Sequence, residues 1–430
     1  MRGRWWQWLV VLLSLTALEA CSQDKTGPES AEEVVITVWA HSGQEAERDT
    51  LKDQAARFNA SQQGTRVDLN FIPERDYNAQ VQAAALAGDL PDLLEFDGPY
   101  LYSYVWQGHL APLDQLISPT LRADLLPSII AQGSYAGHLY SVGAFDSGLA
   151  LYADVEKIRA TGVRIPAGPE SAWSIEEFNS VLNELASNDS DGAVLDLKLN
   201  YSGEWYTYAF SPVLQSAGAD LIDRGSYQSA DGVLTSAAAV ASLRHVGNWI
   251  EQGLVDPNLD DAAFISGRVA ISWAGHWEYS RYAEALGERL VLLPLPDFGQ
   301  GAKTGQGSWN WGTSRHAEHP DAAIKFLEFL LQPEEVLAMA NANGAVPGTK
   351  TAIGRSMLYG EQGRLRLFAQ QLLEGYSVTR PQTPAYPVIT SAFQQAFLAI
   401  RNGGDIAAAL DRAAAAIDQD IDDNQGYRAQ

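Results

Sequence analysis

Between Val34 and Gly98 the chain alternates β-branched runs with helical stretches, and this alternation restricts the fold more than any other feature. Val34-Val35-Ile36-Thr37-Val38-Trp39 reads as a buried strand, because β-branched and aromatic side chains suit a pleated surface. Gln44 to Asn59 then places Leu51, Ala55 and Phe58 at helical spacing. Val67 to Ile72 returns to strand, Tyr77 to Ala87 to helix, and Pro91 to Phe96 to a strand ending in Asp97-Gly98-Pro99. Strands separated by crossover helices pair in parallel, with the helices on the faces of the sheet. Ligands of such sheets bind beyond the carboxyl ends of the strands. Those ends are Trp39-Ala40-His41-Ser42 and Phe96-Asp97-Gly98, two candidate binding loops.

From Phe145 onward the chain becomes more helical. Ser174-Ile175-Glu176-Glu177 has the pattern of a capping box, with Ser174 capping and Glu177 reaching back. Helices are expected over Ala237 to Ile250, Pro320 to Leu331, Phe393 to Ile400 and Ile406 to Ile421, and strands at Val269 to Trp273 and Leu290 to Pro294. No internal repeat is visible. With 430 residues, 46% of them apolar, the chain can fill two separate cores.

The N-terminus has a different design. Arg2 and Arg4 precede an apolar run from Trp8 to Leu18, and small Ala20 stands before Cys21, the only cysteine. This is the layout of a secretory signal, too short for a comfortable transmembrane helix of about 20 apolar residues. A cysteine directly after such a run resembles the bacterial lipobox, which implies a lipidated Cys21 as the new N-terminus, although Glu19 departs from that pattern. Ser22 to Glu33 then reads as a flexible tether. With Cys21 used by the anchor no intrachain disulfide can form, so burial alone holds the folded body.

A formal net charge of -24 argues against a nucleic-acid partner and against a large contact with anionic lipid headgroups. No Lys or Arg cluster builds a pocket for an anionic substrate, so a neutral polar ligand is expected. Nine of the 12 tryptophans lie after the signal, several in strand-end segments: Trp205, Trp273, Trp277, Trp309 and Trp311. Alternation puts Trp309 and Trp311 on one face of their strand. An aromatic face lies flat against the C–H face of a pyranose while neighbouring polar groups take its hydroxyls, the apolar-walled site with a few placed polar groups that small ligands favour. Trp173 and Trp249 are better placed for core packing. Catalytic patterns are sparse: no Gly-x-Ser-x-Gly, no phosphate loop and no His-Glu-x-x-His occur. Asp189 and Asp191 lack the distal glutamate of a calcium loop, and His316 and His319 read as surface residues before a helix. Asp97 and Asp146 could serve as a glycosidase acid and base, which keeps a secreted carbohydrate-active enzyme (a glycosidase or lyase) as the alternative reading.

Several segments together resemble the extracellular solute-binding proteins of ABC importers, of the maltose-binding type. They are Ile36-Thr37-Val38-Trp39, Ala87-Gly88-Asp89-Leu90-Pro91-Asp92-Leu93, Phe264-Ile265-Ser266-Gly267-Arg268-Val269-Ala270-Ile271, Gly275-His276-Trp277, His319-Pro320-Asp321-Ala322-Ala323 and Gly344-Ala345-Val346-Pro347. The resemblance implies a two-lobed α/β fold of the type II-like periplasmic-binding class, with a ligand cleft between lobes. It divides the chain into 1–20 as signal, 21–33 as tether, 34–144 with 310–346 as the first lobe, and 147–308 with 350–430 as the second. Crossings are expected near Ala144 to Ser147, Trp309 to Thr313 and Val346 to Thr349. The implied ligand contacts are His41, Ser42, Asp97, Gly98, Asp146, Trp205, Gly275, Trp277, Trp309, Trp311 and Tyr386. The resemblance further implies a carbohydrate ligand, a membrane permease as partner, a monomer at the periplasm or cell surface, and neither cofactor nor metal.

Overall fold

A computed structural model describes residues 33–428 except Glu361; Cys21 and the expected signal and tether up to residue 32 lie outside the described residues. The opening alternation folds as its pattern requires. Strands Val34–His41, Thr65–Ile72 and Leu93–Asp97 pair in parallel about the first, with Val34 opposite Thr65 and Val38 opposite Leu93. The helix Glu45–Ser61 buries Leu51, Ala55 and Phe58 against this sheet, and Glu74–Ala87 buries Tyr77 and Val81. Gly88 ends the latter at φ 73°, a left-handed position that glycine occupies without steric penalty.

The sheet is not purely parallel. Trp309–Thr313 returns from far along the chain and joins it antiparallel, Trp309 opposite Asp97 and Thr313 opposite Leu93. No local pattern announces such a pairing, since its partner lies more than two hundred residues away. Helices Pro320–Leu330 and Pro333–Asn343 complete this first lobe, burying Phe326, Leu327, Leu330 and Val336 with Phe58 in one apolar core.

The second lobe is built on strands Leu149–Asp154, Leu195–Asp196, Ile271–Gly275 and Leu290–Leu293. Its largest core gathers Trp173, Phe178, Trp249, Trp273, Phe210, Phe393 and Phe397. The expected capping box is present. Ser174 Oγ accepts from the Glu177 N–H at 3.2 Å, and Glu177 Oε2 accepts from the Ser174 N–H at 2.9 Å.

The chain passes between lobes three times. At the first crossing Phe145–Asp146 pairs with Val346–Pro347 of the third. The second precedes the expected segment: Thr304–Gln306 pairs with Ser377–Thr379, and by Trp309 the chain is in the first-lobe sheet. The third boundary also moves. Helix Lys350–Arg355 remains on the first lobe, where Lys350 Nζ donates to the Ala123 carbonyl at 2.6 Å and the Thr351 N–H to Asp124 at 3.1 Å. Among the described residues no helix is long and apolar enough to cross a membrane.

Candidate functional site

Both predicted binding loops lie at the ends of first-lobe strands and face second-lobe residues through a closed circuit of contacts. It starts where Asp97 ends its strand beside Trp309. The Arg380 guanidinium grips Asp97 with both terminal nitrogens, Nη1 to Oδ2 at 2.6 Å and Nη2 to Oδ1 at 2.5 Å. It also donates to Glu204 Oε2 of the second lobe at 2.9 Å. Tyr386 and Tyr100 donate to the same Glu204 at 2.5 and 3.0 Å. Burial pulls Arg380 downward, but Asp97, Tyr386 and Glu204 together outweigh it and hold the guanidinium well above its ordinary value. Burial raises Glu204 despite Arg380. A cation paired with two carboxylates has little left to offer an anion.

The circuit continues through aromatic rings. Arg380 lies 5.1 Å from the Tyr208 ring, and Tyr208 is 6.2 Å from Trp277. Trp277 is only partly buried, with Trp205 edge-on behind it at 6.1 Å. Gly275 explains how its ring is seated: a Cβ there would fall 2.1–2.6 Å from three ring atoms, so the indole lies where only glycine leaves room. His276 beside it is 5.2 Å from the Trp277 ring and donates from Nδ1 to the Asn343 carbonyl of the first lobe at 2.8 Å. Asn343 Nδ2 donates to Glu47 at 3.0 Å, Glu47 lies 3.6 Å from His41 Nε2, and His41 Nδ1 donates to Glu95 at 2.6 Å. His41 stacks on Trp309, centroids 3.8 Å apart and planes 5° from parallel, which closes the circuit. Burial opposes the charge on His41, yet Glu95 and Glu47 together hold it well above the ordinary histidine value.

The sequence-derived candidates sort by this geometry. His41, Asp97, Trp277 and Trp309 belong to the circuit. One face of Trp309 is already covered by His41, so its role as a platform is confined to what His41 leaves open. Ser42 is partly exposed, and its backbone N–H and carbonyl are tied to Ile72 and Arg48. Gly98 serves close approach: its N–H donates to the Ser308 carbonyl at 2.9 Å, and a Cβ would meet Asn310 at 2.5 Å. Gly275 acts through Trp277, and Trp205, 6% exposed, backs it while donating to the Leu197 carbonyl at 3.1 Å.

Three of the expected contacts lie deeper than the rest. Trp311 is on the same sheet face as Trp309 but two residues deeper, 3% exposed within the first-lobe core, where it packs. Asp146 is fully buried and accepts from Gln132 at 2.9 Å and from the Ser147 and Gly307 N–H groups at 2.8 and 3.3 Å. It ties two crossings together, which leaves it poorly placed as a catalytic acid. Tyr386 is also fully buried and reaches the circuit through Glu204 and through its ring, 6.0 Å from the Arg380 guanidinium. Sequence reasoning missed Arg380, Glu204, Tyr208, Glu47, Asn343 and the role of His276. Only His276 stood in a noted motif; Arg380 sits between a short strand and Pro381 with nothing local to mark it. No group of three or more His, Cys, Asp or Glu suited to a metal occurs among the described residues.

A two-lobed α/β body with its circuit of aromatic and charged groups at the meeting of the lobes defines a solute receptor. The chain belongs to the bacterial extracellular solute-binding protein family, whose profile matches residues 53–355. An uncharacterised lipoprotein from the oleD 5′ region of Streptomyces antibioticus is 24% identical over 362 residues, covering 78% of either chain. The maltodextrin-binding protein MdxE of Bacillus subtilis is 22% identical over 348 residues, again 78% of each. Among solved structures, the GacH receptor of Streptomyces glaucescens, crystallised unliganded and with acarbose, superposes with a TM-score of 0.75 at 21% identity, covering 91% of this chain and 98% of that one. The maltose/maltodextrin-binding domain MalE of Bdellovibrio bacteriovorus, bound to maltotriose, gives 0.75 at 18% identity over 90% and 100%. These structures establish the shared fold.

Proposed function

We propose that this protein is the substrate-binding lipoprotein of an ABC importer, which captures a neutral di- or oligosaccharide between its lobes and delivers it to a membrane permease. The circuit carries this reading: it places Trp277 and Tyr208 of one lobe opposite His41, Trp309 and Asp97 of the other. Aromatic faces supply apolar contact to sugar rings, and the polar groups between them supply acceptors and donors for hydroxyls. Arg380 is already neutralised by Asp97 and Glu204, which favours an uncharged ligand over an anionic one. The maltodextrin- and oligosaccharide-binding relatives support the same class of ligand. Binding works by closure: the sugar contacts both lobes at once only when they meet, so its affinity is greatest for the closed arrangement, the form the permease recognises. The reading includes a lipid anchor at Cys21, a monomeric receptor, and a place at the periplasm or cell surface.

Incubation with a panel of gluco- and manno-oligosaccharides tests it. The expected result is a rise in melting temperature with at least one sugar, without any product on prolonged incubation. Sugar cleavage by the wild type that is lost in Asp97→Asn would replace the receptor with an enzyme.

A further inference from the structure

Behind Trp277 the second lobe buries a lysine that is no member of the circuit. Lys198 is fully buried and stands at φ 53°, a left-handed conformation that a residue with a Cβ adopts only where its surroundings hold it. Its N–H donates to Asp196 Oδ1 at 2.7 Å, and its ammonium lies 3.2 Å from Asp196 Oδ2, 2.8 Å from Asp261 and 4.0 Å from Glu278. Asp196 is itself fully buried and also accepts from Asn258 Nδ2 at 2.8 Å and from Ser272 Oγ at 3.2 Å. Burial pulls the ammonium downward, but Asp196, Glu278, Tyr201 and Asp261 together outweigh it and raise it above the ordinary lysine value. A protonated amine has no lone pair to attack with, so what Lys198 can do is hold other groups in place.

The cluster reaches the circuit along two branches that end on the same ring. Glu278 follows Trp277 in the turn His276–Glu278 and is 2% exposed. Its Oε1 accepts from the Tyr201 hydroxyl at 2.7 Å, and its Oε2 from Arg281 Nη2 at 2.6 Å. Arg281 also pairs with Asp261 at 2.9 Å, so Lys198 and Arg281 hold that carboxylate between them. With Glu278 tied at both oxygens, the backbone that carries the Trp277 indole is tied with it. The second branch runs through rings. Lys198 Nζ lies 5.8 Å from the Tyr201 ring, Tyr201 is edge-on to Trp205 at 5.2 Å, and Trp205 is edge-on to Trp277 at 6.1 Å. Tyr201 belongs to both branches. Such a buried cluster depends on all its members, because removal of the cation strands the carboxylates around it.

We propose that Lys198 is a positioning residue for Trp277: through Glu278 and Tyr201 it fixes the angle at which the indole face meets a sugar ring. The proposal rests on the sugar-receptor reading for what the ring does, and on the buried cluster for how the ring is held.

Fluorine NMR of the full chain labelled with fluorotryptophan tests it, with the Trp277 signal assigned by its loss in Trp277→Phe, alongside calorimetry with the gluco- and manno-oligosaccharide panel. Two variants are compared with wild type. Lys198→Met keeps the reach of the side chain and removes its charge. Tyr201→Phe removes one hydroxyl, so it decides the matter where Lys198→Met fails to fold. In each folded variant the Trp277 signal is expected to shift or broaden while those of Trp173 and Trp249, in the core of the same lobe, stay in place. Sugar affinity is expected to fall by about fivefold or more. A Trp277 signal that is unchanged in Tyr201→Phe, or displaced in step with Trp173 and Trp249 as a general loosening of the lobe would displace it, overturns the positioning role. So does a moved signal with unaltered affinity. Wild type that binds no sugar of the panel overturns the receptor reading, while the Trp277 signal, read without ligand, still decides whether Lys198 sets the ring.

Discussion

At Gly275 and Trp277 a single missing methyl decides the shape of the candidate site. The indole ring occupies space that any Cβ at position 275 would claim, so Gly275→Ala has to push the ring out of place. Expected is a loss of sugar affinity of at least tenfold by calorimetry, close to that of Trp277→Ala, with a native circular dichroism spectrum. Unaltered affinity in Gly275→Ala would remove Trp277 from the binding surface. Arg380 gives the opposite lesson. It is 5% exposed and compensates Asp97 and Glu204, so Arg380→Met leaves two carboxylates, 13% and 23% exposed, without their counter-charge. Breaking a buried pair in this way costs about 3–5 kcal/mol, and urea unfolding of the variant is expected to show a loss of about 3 kcal/mol. Trp277 was legible in the sequence because Gly-His-Trp follows a strand; Arg380 was not, because its importance comes from partners almost two and three hundred residues away. Trp311 shows the limit of alternation, which gives the face of a sheet but not the depth along it.

The first strand, its following helix and the third strand are pinned together by His41, Glu47 and Glu95, and this element-level clasp depends on pH. Burial alone would lower the His41 value, but Glu95 and Glu47 raise it well above the ordinary one. A raised histidine contributes stability that is fully present below its unfolded value of about 6.5 and is lost as pH rises through the folded value. Glu47 supplies the other limb: burial opposes its ionisation, His41 with Asn343 and His276 outweighs burial, and its value is lowered. Its contribution is present above its unfolded value of about 4.3 and fades as pH falls through the folded one. Stability measured by urea unfolding is therefore expected to decline on the alkaline side, and His41→Gln is expected to flatten that decline; an equally steep limb in the variant would assign it to other groups. Elements of this kind were largely readable. The parallel order, the helix carrying Leu51, Ala55 and Phe58, and the Ser174 box all follow from local pattern. The antiparallel strand Trp309–Thr313 and the attachment of Lys350–Arg355 to the first lobe do not, since both are set by tertiary contact.

For the molecule as a whole, the receptor reading takes the two cores to move as bodies about the three crossings, and it requires that something keep the protein near its permease. The chain carries a formal net charge of -24, so anionic headgroups repel the folded body and an anchor must work against that repulsion. Cys21 is the only cysteine, and Ser22 to Glu33 separates it from the first strand. One acyl chain gives only marginal, reversible attachment, and stable anchoring takes two membrane signals or more. A lipidated Cys21 would have to supply all of them, because the acidic body supplies none. Cys21→Ser is therefore expected to move nearly all of the protein from the membrane to the soluble fraction, while sugar affinity stays unchanged because the circuit is untouched. Membrane fractionation with calorimetry on the released protein decides it. A variant that still pellets with membranes would show that the anchor lies elsewhere in the chain.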